Sequence, residues 1–302
     1  MGSPYRKHDR QSFFKYMSAA TARAVLTGGA LRWSSPLLFN DPFDVPRELA
    51  FGLTPQAMQT AIARRVASLI SAPPKDTSGL QPYLRLLIDT AKTIDSGVRA
   101  EILADLRDAE GSEPPPGQAM ADLQAQWKAL VPTMRILCLT ESPDHVAMWY
   151  HYGGRYTGVV LELRCDDALC SAWLAAQPVT YPDDKPGVYT AEGWATILSM
   201  PQELAVQALI QIACYTKSRD WSYEREWRLA SFALPQEMGL FTDFGFDPKE
   251  LASVYLGPLI SEDDRDHILA LLPRYPMAVA YDVAIGFDRE LKVQEIGGLT
   301  RK

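Results

Sequence analysis

Cysteine is scarce. The 302-residue chain has only four, at 138, 165, 170 and 214, too few for a disulfide scaffold in a chain of this length. Cys165 and Cys170 stand close but form no Cys-x-x-Cys pair, so a zinc site would have to draw on His145 or His151. Reduced thiols in a cytoplasmic protein are the expectation. No apolar run approaches the roughly 18 residues of a membrane span, and the opening Met1–His8 has no apolar signal core. Positive charge is in deficit: 30 Lys and Arg against 37 Asp and Glu give a net charge of −7. That excludes a broad electropositive face for duplex nucleic acid and leaves at most a local basic groove. No GxGxxG opens a helix after a strand and no P-loop is present, so neither a Rossmann dinucleotide site nor a nucleoside triphosphatase is supported. Internal repeats and low-complexity tracts are missing too.

What the chain does have is the composition of a folded protein, 47% hydrophobic and 22% charged. Phe13–Tyr16 reads as a strand, Ser18 as the N-cap of a helix over 19–27 that Gly28-Gly29 ends, and Leu31–Trp33 as a second strand. Residues 34–44 form a loop rich in proline and Asx turns. Thr54-Pro55 opens a helical stretch, with Met58, Ile62, Val66 and Leu69 at helical spacing, and the pattern continues to about residue 130, interrupted by a Gly- and Pro-rich loop over 111–117. That stretch carries no chemical motif and reads as an insert that packs on the rest or covers a cleft. Strand patterns return at 136–140, 158–164, 179–181, 226–233, 253–256, 277–285 and 291–295, with helices at 144–150, 201–214 and from Ser261. Regular βαβ units do not emerge. The expectation is a single α+β domain over 1–302, a mixed or antiparallel sheet core with a helical insertion at 54–130.

Three clusters carry possible chemistry. The first joins Lys15 and Tyr16 to Ser34 and to Asn40-Asp41-Pro42-Phe43-Asp44. Its carboxylates could hold a cation or a ligand's hydroxyls, or simply cap their own turn. The second is Glu141–Gly154, where His145, Trp149, Tyr150, His151 and Tyr152 crowd together. Such rings suit a flat heterocycle by stacking plus one hydrogen bond, and histidine titrates nearest neutrality. The third runs from Lys217 to Leu229. If it is a strand, alternation puts Glu224, Glu226 and Arg228 on one face. This is common on a solvated face, and it is also what glycosidic cleavage needs: a carboxylate, held by a cation, that stabilises an oxocarbenium-like transition state.

Six motifs in this order make the chain recognisable: Phe14-Lys15-Tyr16; Ser34 to Asp44; Cys138 to Ser142; Met148 to Tyr152; Gly158 to Glu162; and Lys217…Trp221-Ser-Tyr-Glu224-Arg-Glu226-Trp-Arg228. Together they resemble the bacterial domain of unknown function 2971, a family similar to abortive phage-infection proteins. More distantly, the order of an early basic strand, a serine loop, a His/Tyr-rich segment and a late strand glutamate resembles ADP-ribosyltransferase-type domains, including those of DNA-modifying toxins. That resemblance implies an ADP-ribosyltransferase-like sheet core and NAD as substrate. It makes Glu226 the glutamate at the nicotinamide ribose, with Glu224 two positions before it, His151 and Tyr152 nicotinamide or ribose contacts, and Lys15 a cation near the diphosphate.

The reading that follows is an ADP-ribosyltransferase or NAD glycohydrolase, a toxin or phage-defence effector. Glu226, Glu224 and His151 would be catalytic. Lys15, Tyr16, Ser34, Asn40, Asp41, Trp149, Tyr152, Lys217 and Arg228 would bind NAD. No resident metal is expected. Partners would be a nucleotide, a protein or nucleic-acid acceptor and an antitoxin or defence partner, with no membrane. Two alternatives stand beside it: a non-catalytic sensing module of a phage-defence system, and a nuclease holding Mg²⁺ on Asp41, Asp44, Glu224 and Glu226.

Overall fold

In a computed structural model, the structure describes residues 3–49, 53–109, 118–184 and 187–297; the loop expected over 111–117 lies outside them. The chain begins with β1 (Ser12–Met17), α1 (Ala19–Gly28) and β2 (Ala30–Ser34), then α2 (Pro55–Ser71), α3 (Pro82–Ala91), α4 (Ser96–Ala109) and α5 (Gln118–Leu130). It continues through β3 (Met134–Leu139), α6 (Val146–His151), β4 (Val159–Arg164), β5 (Gln177–Pro178), α7 (Ala191–Leu198) and α8 (Gln202–Tyr215). It ends with β6 (Trp227–Phe232), β7 (Phe241–Gly245), β8 (Leu251–Leu256), α9 (Glu262–Leu271), β9 (Val279–Ile285) and β10 (Leu291–Glu295). Residues 1–38, 133–179 and 220–302 form one compact unit; residues 39–132 and 180–219 form a second.

The first unit holds these strands in two five-stranded sheets, ordered β1-β4-β8-β9-β10 and β5-β6-β3-β2-β7. Among these described strands, β8 and β9 pair in parallel and the other neighbours are antiparallel. This is the α+β class, with mixed and antiparallel sheets, that the sequence pattern implies. A pair of backbone bonds joins the sheets at one point: Phe14 N donates to Thr140 O (3.0 Å) and Thr140 N to Phe14 O (2.9 Å).

Alternation explains β1. Phe13 and Met17 point into a large core shared with Leu137, Leu161, Leu229 and Val254, while Phe14 and Tyr16 point the other way, into a smaller aromatic core with Trp149 and Tyr255. Full burial of each such leucine or phenylalanine contributes about 1.5–3 kcal/mol. The first helix starts and stops where the sequence says. Ser18 Oγ accepts from Thr21 N at 3.2 Å, and Gly29, left-handed at φ 62°, returns its N–H to Val25 O at 2.7 Å. The strand β7 has no counterpart among the expected elements. Its residues alternate between exposed and half-buried at the sheet edge, so it lacks an apolar face to betray it.

The second unit is helical. Thr54 caps α2 by accepting from Ala57 N at 3.1 Å, with Pro55 at the first helical position. Leu69 and Ile70 of α2 pack with Leu84 and Ile88 of α3, and Ile102 and Leu106 of α4 lie against them. Ala61 of α2 meets Ala191 and Ala195 of α7, where small side chains let the helices approach. Ile62, one of the apolar residues at helical spacing, is 37% exposed instead. Trp127 of α5 donates its indole N–H to Pro46 O at 2.7 Å. Among the described residues, no helix is long and apolar enough to cross a membrane.

One close approach in the first unit yields a test. A Cβ on Gly158 would lie 2.2 Å from Met17 O and 2.7 Å from Gly153 O, both backbone atoms that cannot swing aside. Gly158→Ala should destabilise the protein by about 1–3 kcal/mol, measured by urea denaturation. An unchanged midpoint would show that the backbones do not meet there.

Candidate functional site

The site of the first unit is built around Arg225. Residues Arg219–Glu224 form a 3₁₀ turn, and the β6 strand starts only at Trp227. Arg225 joins them with φ 44°, a left-handed conformation that costs a non-glycine residue about 1–2 kcal/mol. The kink replaces the continuous strand whose alternation would put Glu224, Glu226 and Arg228 in one row. Glu224 and Glu226 are nevertheless both buried, at 3% and 5% exposure, while Arg225 is exposed.

Each glutamate has its own anchor. Glu226 and Arg228 keep the i, i+2 relation of a strand. Arg228 donates from Nε to Glu226 Oε1 (2.7 Å) and from Nη2 to Oε2 (2.9 Å), a bidentate pair in which the arginine side chain is fully buried. Glu224 Oε1 accepts from Tyr152 OH at 2.6 Å, and Thr140 Oγ1 donates to the Glu224 backbone carbonyl. Thr140 is the residue that ties the two sheets together, so the sheet junction also fixes Glu224.

Lys15 belongs to the same neighbourhood. Its Nζ donates to Cys138 O at 2.8 Å, and Cys138 lies opposite Arg228 in the β3–β6 ladder. The Cys138 thiol is held above the ordinary thiol range, first by burial and then by the Glu226 carboxylate; Arg228 and Lys15 act on it in the opposite sense. Such a thiol stays protonated at neutral pH and is a poor nucleophile.

A wall of rings lies alongside. The short helix α6 turns Met148 and Trp149 inward and leaves Tyr150 and His151 exposed. The His151 ring centroid lies 6.4 Å from Trp221 and 6.3 Å from Tyr223, and Tyr223 stacks on His145 at 5.5 Å with planes 20° apart. Trp149 itself is wholly buried: its indole meets Tyr16 edge-on at 5.4 Å and donates to Pro143 O at 2.7 Å. Tyr16 holds the entry to α6, donating to Ser142 O (3.0 Å) and accepting from His145 N (3.2 Å); burial raises its phenol pKa. These two residues support the ring wall rather than offering faces of their own. Ser34 is half-buried on β2, opposite Ile136 and Phe241.

The structure thus brings Lys15, Tyr152, Glu224, Glu226 and Arg228 together around β6, with His151 on the ring wall. Asn40, Asp41 and Lys217 belong to the second unit. Asn40 is exposed, and Asp41 Oδ1 accepts from Phe43 N at 2.8 Å, the self-capping turn that its sequence allows. Lys217 pairs with Asp44 at 3.5 Å, both side chains 5% exposed. Among the described residues, no group of three or more His, Cys, Asp or Glu is arranged to hold a metal ion. Tyr223 and Cys138 stand in motifs the sequence displays, but nothing local marks their part in the site. The stacking partner of one and the ladder partner of the other are 78 and 90 positions away.

The buried pair can be tested by itself. Arg228→Met should cost about 3–5 kcal/mol, because it leaves the Glu226 charge buried without its arginine. The double change Glu226→Leu with Arg228→Met should recover most of that loss in urea denaturation. A single variant within about 1 kcal/mol of the parent would show that the pair is not structural.

No curated protein and no solved structure matches this chain. Residues 148–229 match the family model described as Protein of unknown function (DUF2971), and the motifs from Met148 to Arg228 that resemble domain of unknown function 2971 lie within the matched segment.

Proposed function

We propose that the Glu224–Glu226 site of the first unit binds NAD and breaks its nicotinamide–ribose bond, as an ADP-ribosyltransferase or NAD glycohydrolase. The observation that carries the reading is the Glu-Arg-Glu kink: two buried carboxylates, separately anchored, beside Lys15 and a wall of rings. An oxocarbenium-like transition state needs a fixed negative charge, and Arg228 holds Glu226 in one geometry before substrate arrives. The ring wall of His151, Trp221 and Tyr223 suits the flat nicotinamide by stacking. Lys15 supplies a cation for the diphosphate.

In this mechanism the glycosidic C–N bond breaks with its electron pair leaving on nicotinamide. The positive charge on the ribosyl carbon is stabilised by Glu226. The oxygen of water or of a macromolecular acceptor then forms the new bond to that carbon, and Glu224, oriented by Tyr152, takes the acceptor's proton. His151 contributes from the nicotinamide side. A toxin or phage-defence effector, acting on a protein or nucleic acid in the cytoplasm and restrained by a partner, is the setting that the family resemblance supports.

A second reading has its own support. Both Glu226 oxygens accept from Arg228, which is how a structural clamp in a non-catalytic sensing module would look. Nicotinamide release separates the two. Wild-type protein with NAD, with and without lysate as acceptor source, should release nicotinamide, and Glu226→Gln and Glu224→Gln, each assayed at a temperature where circular dichroism shows the variant still folded, should lower the rate at least about 100-fold. No release together with no NAD binding would refute the enzyme. A Glu226→Gln protein that keeps full biological activity would favour the sensing module.

A further inference from the structure

The second unit contains a cavity of about 440 Å³, within the range of about 300–1,000 Å³ usual for small-molecule sites. Its apolar wall comes from Pro46, Val188, Ile212 and Ala213, and its polar feature is the buried Lys217–Asp44 pair. At 3.5 Å the pair is longer than a charge-assisted hydrogen bond of about 2.7–2.9 Å. The half-buried Tyr189 also lines it, with its phenol pKa raised first by burial and then by Asp44 and Asp41, so the hydroxyl keeps its proton and can donate. At the mouth stand Phe43, 81% exposed, and the exposed pair Arg219–Asp183.

From this geometry we infer that the cavity is a binding site for an uncharged, planar, nucleobase-type ligand. A buried ammonium can only donate and a carboxylate can only accept. Side by side, they complement a ring edge that carries an acceptor next to a donor, as the hydrogen-bonding edges of adenine, cytosine and guanine do. A ligand with its own net charge would add to the charges already gathered in this buried place, which is costly. The lining also bears three acids, Asp44, Asp183 and Asp184, against two bases, Lys217 and Arg219, which disfavours an added anion. Phe43 offers an exposed ring on which the far face of the base can stack. The inference does not depend on the chemistry proposed for Glu226, and its charge preference is opposite to that of a dinucleotide site.

Isothermal titration of the full chain with adenosine, cytidine, guanosine and adenosine 5′-monophosphate tests this. At least one nucleoside should bind saturably, and adenosine should bind more tightly than its monophosphate. Lys217→Met should weaken nucleoside binding at least tenfold. Ser218→Trp, an exposed lining position, should do the same by filling the mouth without touching the core, while Glu226→Gln should leave nucleoside binding unchanged. Absence of saturable binding by all three nucleosides, tighter binding of the monophosphate, or unaltered binding in a folded Ser218→Trp protein would overturn the inference.

Discussion

The first unit depends on one buried ion pair. Arg228 lies on β6, between β5 and β3 of the second sheet, with no exposed surface, and Glu226 is the carboxylate that meets its guanidinium. Taking two charges out of water is expensive, and the expense is offset only when the geometry is bidentate and the surroundings supply further polar partners. A pair of this kind adds little net stability, yet losing either member is severe. It fixes the direction of a carboxylate through two hydrogen bonds. That is the property a transition-state stabiliser requires, since a charge that is already oriented costs no reorganisation during reaction.

The rest of the site follows from how the sheets meet. The Phe14–Thr140 bridge brings β1 beside the end of β3, and this places Lys15 on the Cys138 carbonyl and Thr140 on the Glu224 carbonyl. The strained Arg225 backbone then lets a 3₁₀ turn feed directly into β6, so that carboxylates on either side of the kink can both be buried. Strain of this kind persists only where the surrounding contacts over-determine it, and here Thr140, Tyr152 and Arg228 do so.

Much of this was legible in the sequence, and the reasons differ by residue. Ser18, Gly29, Thr54 and Ser261 are capping residues whose chemistry is local, and all four cap where their positions suggest. The β1 strand was legible as a short aromatic-rich run; its two faces, with Phe13 and Phe14 in separate cores, come from the structure. Pairings across long sequence gaps left no such trace. Tyr152 reaches Glu224 across 72 positions, and Lys217 reaches Asp44 across most of the second unit. The strand read at 226–233 could be extended back to Glu224 by alternation, and nothing local argued against it, because a left-handed arginine has no sequence signature comparable to glycine. Trp149 looked like a stacking face because its neighbours are aromatic, but its inward position on α6 makes it core.

The most direct measurement is a crystal structure of the chain with a non-hydrolysable NAD analogue. The account predicts the nicotinamide ring against His151, Trp221 and Tyr223, with a ribose hydroxyl within hydrogen-bond reach of Glu226. An analogue bound elsewhere, with the Glu226–Arg228 pair unchanged and the ring wall uncovered, would contradict it.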